Sequence, residues 1–128
     1  MKWVKVFSIF IVVHLLLWFG AHVYRSSYPT KVLIGVDTSF SLTSQFPAMQ
    51  SWIADYEANA RYEAITIVTD KSEIGPLKSI SSRQSIFRTA FGRSEAADFQ
   101  RYESLAADKR ILLSDGSFVM QGWEMTRF

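Results

Sequence analysis

Residues Lys31–Ser44, KVLIGVDTSFSLTS, decide how this chain reads. Val32, Leu33, Ile34 and Val36 make an apolar run, which predicts a strand buried on both faces as in a parallel sheet. The run stops at Asp37, and Thr38, Ser39, Phe40 and Ser41 follow as a loop rich in hydroxyls. Open α/β sheets place their ligands at the carboxyl ends of the strands. The Asp37 loop is therefore a candidate site.

Beyond it, residues 47–62 predict a helix, with Met49, Trp52, Ile53, Tyr56 and Ala60 on one stripe and Pro47 in the first turn. Core packing is the ordinary role of such a stripe. Residues 64–69, AITIVT, predict a second strand, which also ends in an acid, Asp70. Strand, helix and strand in that order imply a right-handed crossover and parallel pairing. Residues 72–79, which contain Gly75-Pro76, predict a loop. Ser82–Phe91 predicts a helix with Ile86, Phe87, Ala90 and Phe91 inward and Gly92 as its stop. Ser94 can cap a further helix to about Asp108, with Phe99, Tyr102, Leu105 and Ala106 toward the core. Arg110–Ser114, RILLS, predicts the third strand, leading into Asp115-Gly116. The expected fold class is α/β: a small three-layer, mainly parallel sheet with flanking helices, Rossmann-like in outline. With the strands ordered second, first, third, Asp37 and Asp115 face one crevice.

The spacing Asp37-x-Ser39-x-Ser41 resembles the metal-ion-dependent adhesion motif of von Willebrand factor A-type domains, in which an acid and two hydroxyls help hold a divalent cation. Leu113-Ser114-Asp115-Gly116 resembles the element by which that family adds a second acid. Gly92-Arg93-Ser94 stands roughly where the family has a threonine, with serine in its place. The resemblance spans residues 31–116 and implies a metal set of Asp37, Ser39, Ser41, Asp115 and Ser94. It further implies a protein partner that completes the coordination sphere with an acidic side chain. Such hard oxygen donors suit Mg²⁺, Ca²⁺ or Mn²⁺, and no Cys or His pair has zinc-like spacing. The family's domains run longer, whereas only residues 117–128 follow Gly116 here. Asp115-Gly116 also suits a two-residue hairpin turn between residues 111–114 and 117–120, which would make Asp115 a turn residue.

Toward the amino end, residues 6–23, VFSIFIVVHLLLWFGAHV, carry no formal charge. At about 1.5 Å per residue they reach roughly 27 Å, close to the thickness of a bilayer core. Trp3, Tyr24 and Tyr28 flank them as interfacial aromatics do. An uncleaved signal anchor and a removed signal peptide both fit; the long apolar run and the lack of a small-x-small site before Tyr24 favour the anchor. The expected organisation is a cytoplasmic segment at 1–5, a transmembrane anchor at 6–24, a linker at 25–30 and the α/β domain at 31–128 outside the cytoplasm. His14 and His22 read as tolerated neutral imidazoles rather than ligands. The 128 residues carry 14 basic and 12 acidic side chains, and Lys2, Lys5 and Arg25 all belong to the anchor and its flanks. The remainder is near neutrality, and the scattered Lys71, Lys78, Arg83, Arg88 and Arg93 make no nucleic-acid footprint. The absence of cysteine is compatible with either side of a membrane.

Three functional classes follow. The first is a membrane-anchored interaction module, in which Asp37→Ala is expected to abolish cation-dependent capture and leave the fold intact. The second is a metal-independent structural or assembly subunit whose acidic loop satisfies backbone donors. The third is a phosphate-binding enzyme. Gly35-Val36-Asp37 resembles the opening of actin-like kinases, yet those folds need far more chain, and a haloacid-dehalogenase nucleophile motif needs an acid where Ser39 stands. The expectation is no enzyme.

Overall fold

The computed structural model describes residues 1–88 and 90–128. Its element order is α1 (Lys2–Ser27), β1 (Thr30–Val36), α2 (Phe46–Asn59), β2 (Glu63–Thr69), β3 (Glu73–Pro76), α3 (Ala96–Gln100), β4 (Lys109–Ser114) and β5 (Glu124–Arg127). The fold is mixed α/β, with a long apolar amino-terminal helix ahead of one five-stranded sheet.

The strands lie in the order β3-β2-β1-β4-β5. β1, β2, β4 and β5 are parallel, and only β3 runs antiparallel, against β2. The central strand is the apolar run that opened the sequence reading, and the expected order of its two neighbours is what the sheet adopts. Alternate residues serve opposite faces. Val32, Ile34, Val36, Ile67, Ile111 and Leu113 meet Phe46, Met49 and Ile53 of α2, together with Leu42, Leu77 and Ile86. Leu33, Val68 and Leu112 meet Phe99, Tyr102, Met120 and Trp123. Gly35 lies where this second cluster crowds β1: a Cβ there would stand 3.0 Å from Trp123 Cζ3 and 3.2 Å from both Leu112 Cδ1 and Phe99 Cδ1.

Several local expectations are revised. The segment expected as a helix over Ser82–Phe91, of which Thr89 lies outside the described residues, contains a 3₁₀ turn at Arg83–Phe87. Ser85 N and Oγ both bond back to Ser82 O, at 3.1 and 2.6 Å, and serine's competition for backbone groups disfavours regular helix. Phe91, expected inward, is 60% exposed. The helix expected from Ser94 to Asp108 shrinks to α3. Its cap is Glu95, boxed with Asp98, rather than Ser94. Three-residue turn bonds follow it, from Tyr102 N to Phe99 O and from Leu105 N to Tyr102 O, and Asp108 N is then committed to Lys31 O at 2.8 Å. The expected loop at 72–79 supplies β3 and a turn at Leu77–Ser79.

The hairpin alternative is also revised. β5 is Glu124–Arg127 and pairs parallel with β4, so Asp115-Gly116 opens a connection of nine residues instead of a tight antiparallel turn. Gly116 has φ +82°, a left-handed conformation suited to glycine, and a Cβ there would press on Arg127 Nε at 2.7 Å.

α1 buries none of its residues and continues to Ser27, so only Tyr28 and Pro29 separate it from β1. Among the described residues, a side-chain hydrogen bond between His22 Nδ1 and the Tyr62 hydroxyl, at 2.5 Å, joins it to the domain.

Candidate functional site

The parallel register brings three strand ends together. Val36 pairs with Thr69 on one side and Leu113 on the other, so Asp37, Asp70 and Ser114 stand side by side one residue beyond the last rungs. Asp37 N still bonds Leu113 O, at 2.9 Å, which holds the loop start against β4.

Asp37 is 1% exposed. Its Oδ1 accepts from Ser39 N at 2.9 Å and from Ser94 Oγ at 2.6 Å, and Ser39 Oγ also bonds it. Its Oδ2 accepts from Ser114 Oγ at 2.8 Å. Ser94 N donates to Ser39 Oγ at 2.8 Å, and the two hydroxyl oxygens lie 3.1 Å apart. Ser94, Ser39 and Ser114 are all buried. Among the described residues, no Lys or Arg pairs with Asp37.

Asp70 lies beside this cluster and is organised differently. Thr38 donates to its Oδ1 through N at 3.0 Å and Oγ1 at 2.5 Å, and Lys71 Nζ forms an ion pair with its Oδ2. Burial alone raises the Asp70 carboxyl; hydrogen bonds from Lys71 and Thr38 oppose it, and the group is held below its ordinary 3.8. Thr38 stands between Asp37 and Ser39, so Asp70 positions the loop from behind.

Above Asp37 the two loops enclose an open cleft of about 400 Å³, lined by Ser39, Phe40, Ser41, Gly92, Arg93, Asp115 and Ser117. Phe40 N bonds Gly92 O at 3.1 Å and ties the loops together. Asp115 is exposed, and its carboxyl is held below its ordinary value, chiefly by the Ser117 backbone N–H at 2.8 Å. Ser114 Oγ links the two acids, lying 2.8 Å from Asp37 Oδ2 and 3.3 Å from Asp115 Oδ1.

Of the five residues expected to form the site, Asp37, Ser39 and Ser94 form one hydrogen-bonded group. Ser41 and Asp115 line the cleft without bonding Asp37. Ser114, Asp70 and Thr38 were not assigned from sequence. Their signal was the repeated appearance of a polar residue at the end of an apolar strand. Among the described residues no three His, Cys, Asp or Glu side chains cluster as a metal-binding group, so any cation here would rely on hydroxyl oxygens beside two carboxylates. The chain matches no protein-family model, and neither the curated proteins nor the solved structures contain a match to it.

Proposed function

We propose that this chain is a membrane-anchored interaction module of von Willebrand factor A-like design, with α2 on one side of the sheet and α3 on the other as a minimal three-layer arrangement. Its cleft takes a divalent cation at Asp37, Ser39, Ser41, Ser94 and Asp115, with magnesium the first candidate. A protein partner completes the coordination with an acidic side chain. α1 is long and apolar enough to cross a bilayer, and in this reading its amino end is cytoplasmic and the domain extracytoplasmic.

One observation carries the cation: Asp37 is a buried carboxylate surrounded by hydroxyls and, among the described residues, has no cationic side chain paired with it. Buried charges are paired or bind metal. Its neighbour Asp70 has Lys71 for that role. A second reading, the metal-independent assembly subunit, draws on the Ser39 N to Asp37 Oδ1 bond, a local turn that needs no ion.

Thermal unfolding of the full chain in detergent, with and without Mg²⁺, Ca²⁺ or Mn²⁺, separates the two. A ligand that binds only the folded state at a hundred times its Kd stabilises by about 2.7 kcal/mol. The cation reading expects such a rise in the wild type and none in Asp37→Asn. A folded wild type indifferent to all three ions supports the assembly reading.

A further inference from the structure

Among the described residues of 31–128, three large apolar side chains stand in solvent: Phe40 at 70% exposure, Phe91 at 60% and Val119 at 76%. Apolar residues exposed singly are ordinary, but these three converge. Each lies in a different loop, and all three loops border the cleft above Asp37. Phe40 lines it, Phe91 precedes the lining Gly92, and Val119 follows the lining Ser117 by two residues. Phe118 stacks inward on Phe99, with ring centroids 6.0 Å apart, and its neighbour Val119 is left outward. The two charges that line the cleft are unequally free. Asp115 accepts from Ser117 N at 2.8 Å, whereas Arg93 has neither an ion pair nor a hydrogen bond among the described residues.

We infer that the mouth of this cleft docks an extended segment of a partner protein in which an acidic residue is flanked by aromatic or leucine-like side chains. Arg93 takes the acid, and Phe40, Phe91 and Val119 take its apolar neighbours. Charge complementarity selects the acid: the free guanidinium forks onto a carboxylate with two parallel hydrogen bonds. Lys71 Nζ, 4.7 Å from the centre of the Phe91 ring, keeps that side of the mouth cationic as well and disfavours a basic segment. Aromatic and arginine side chains standing together are the residue types that carry most of the energy where proteins meet. A cleft of about 400 Å³ admits a few side chains, which suits a segment better than a broad packed face. This inference rests on the reading of the cleft as a partner site and adds to it a clamp that needs no metal.

Random peptides displayed on phage are selected against the immobilised full chain in dilute detergent with Mg²⁺, and a synthetic peptide of the enriched sequence is titrated by fluorescence anisotropy. The enriched peptides should share an acid beside Phe, Trp or Leu. Phe40→Ser, Phe91→Ser and Arg93→Glu should each weaken the peptide about tenfold, and Lys78→Glu, an exposed charge reversal away from the cleft, should leave it unchanged. All four positions are exposed, so the variants keep the fold. No enrichment, enriched peptides without the acid, or an affinity indifferent to Phe40, Phe91 and Arg93 overturns the inference. Self-association of the wild type that Phe40→Ser abolishes makes a second copy the occupant and overturns it too. The cation reading fails separately: equal affinity in Mg²⁺ and in EDTA removes the ion and leaves the docked segment standing.

Discussion

Asp70 accepts from Thr38 and Lys71 while buried at the end of β2, so its ionised form is tied to the folded state. Because its folded value is depressed below 3.8, the stability it contributes is present above that pH and is lost as pH falls through the folded value. Acid unfolding curves should therefore show a component starting below about pH 4 that is missing from Asp70→Asn. Asp70→Ala, which leaves Lys71 partly buried without its acid, should cost about 3 kcal/mol in denaturant unfolding. The same reasoning revises the expectation for Asp37→Ala. Ser39, Ser94 and Ser114 converge on that carboxylate, and removing it strands buried hydroxyls at a cost of about 1–3 kcal/mol. Asp37→Asn is the cleaner probe of charge. Asp37 and Ser39 were legible in the sequence because an acid-hydroxyl loop directly follows an apolar strand. Ser114 and Asp70 were not, because their closeness to Asp37 depends on register, which no local pattern displays.

At the scale of elements, α3 shows what local propensity leaves undecided. It has five residues and one buried side chain, Phe99, which packs near Tyr102, Phe118 and Trp123. A helix this short is held by tertiary packing. Phe99→Ala should accordingly cost about 3–5 kcal/mol, read from the denaturant midpoint. Gly35→Val fills the space on the same face of β1 from the other direction. It should destabilise by about 1–3 kcal/mol through overpacking despite valine's preference for strands. The parallel strands β1, β2 and β4 were legible as apolar runs, and α2 as a stripe at helical spacing. The helix expected at 82–91 gives, among the described residues, a 3₁₀ turn at Arg83–Phe87 tightened by serine back-bonding, and the one expected at 94–108 is realised only over Ala96–Gln100, where three-residue turn bonds from Tyr102 and Leu105 replace it. A strand after Gly116 was legible, but its place was not, because Glu124–Arg127 carries little apolar signal and gains its position by pairing with the β4 edge.

Across the whole molecule, α1 enters the domain through Tyr28-Pro29 at the start of β1, and the cleft lies at the other end of the same strand. At about 3.3 Å per residue, Thr30 and Asp37 are separated by roughly 23 Å. If α1 spans a bilayer, the cleft is turned away from the lipid, and salt or alkaline washing should leave the chain with the membrane whereas detergent releases it. Recovery of a soluble chain beginning near His22 or Val23 would contradict the anchor. If α1 is an anchor, the linear path from it to the cleft also has a mechanical consequence. A partner pulling at Asp37 against an anchor at Thr30 loads β1 along its own axis. β1 is paired with β2 along Thr30–Val36 and with β4 along Val32–Val36, both parallel. Tension between the two ends of one extended strand is carried by its own covalent backbone, so the rungs to β2 and β4 would bear little of it and the sheet would stay folded under the load.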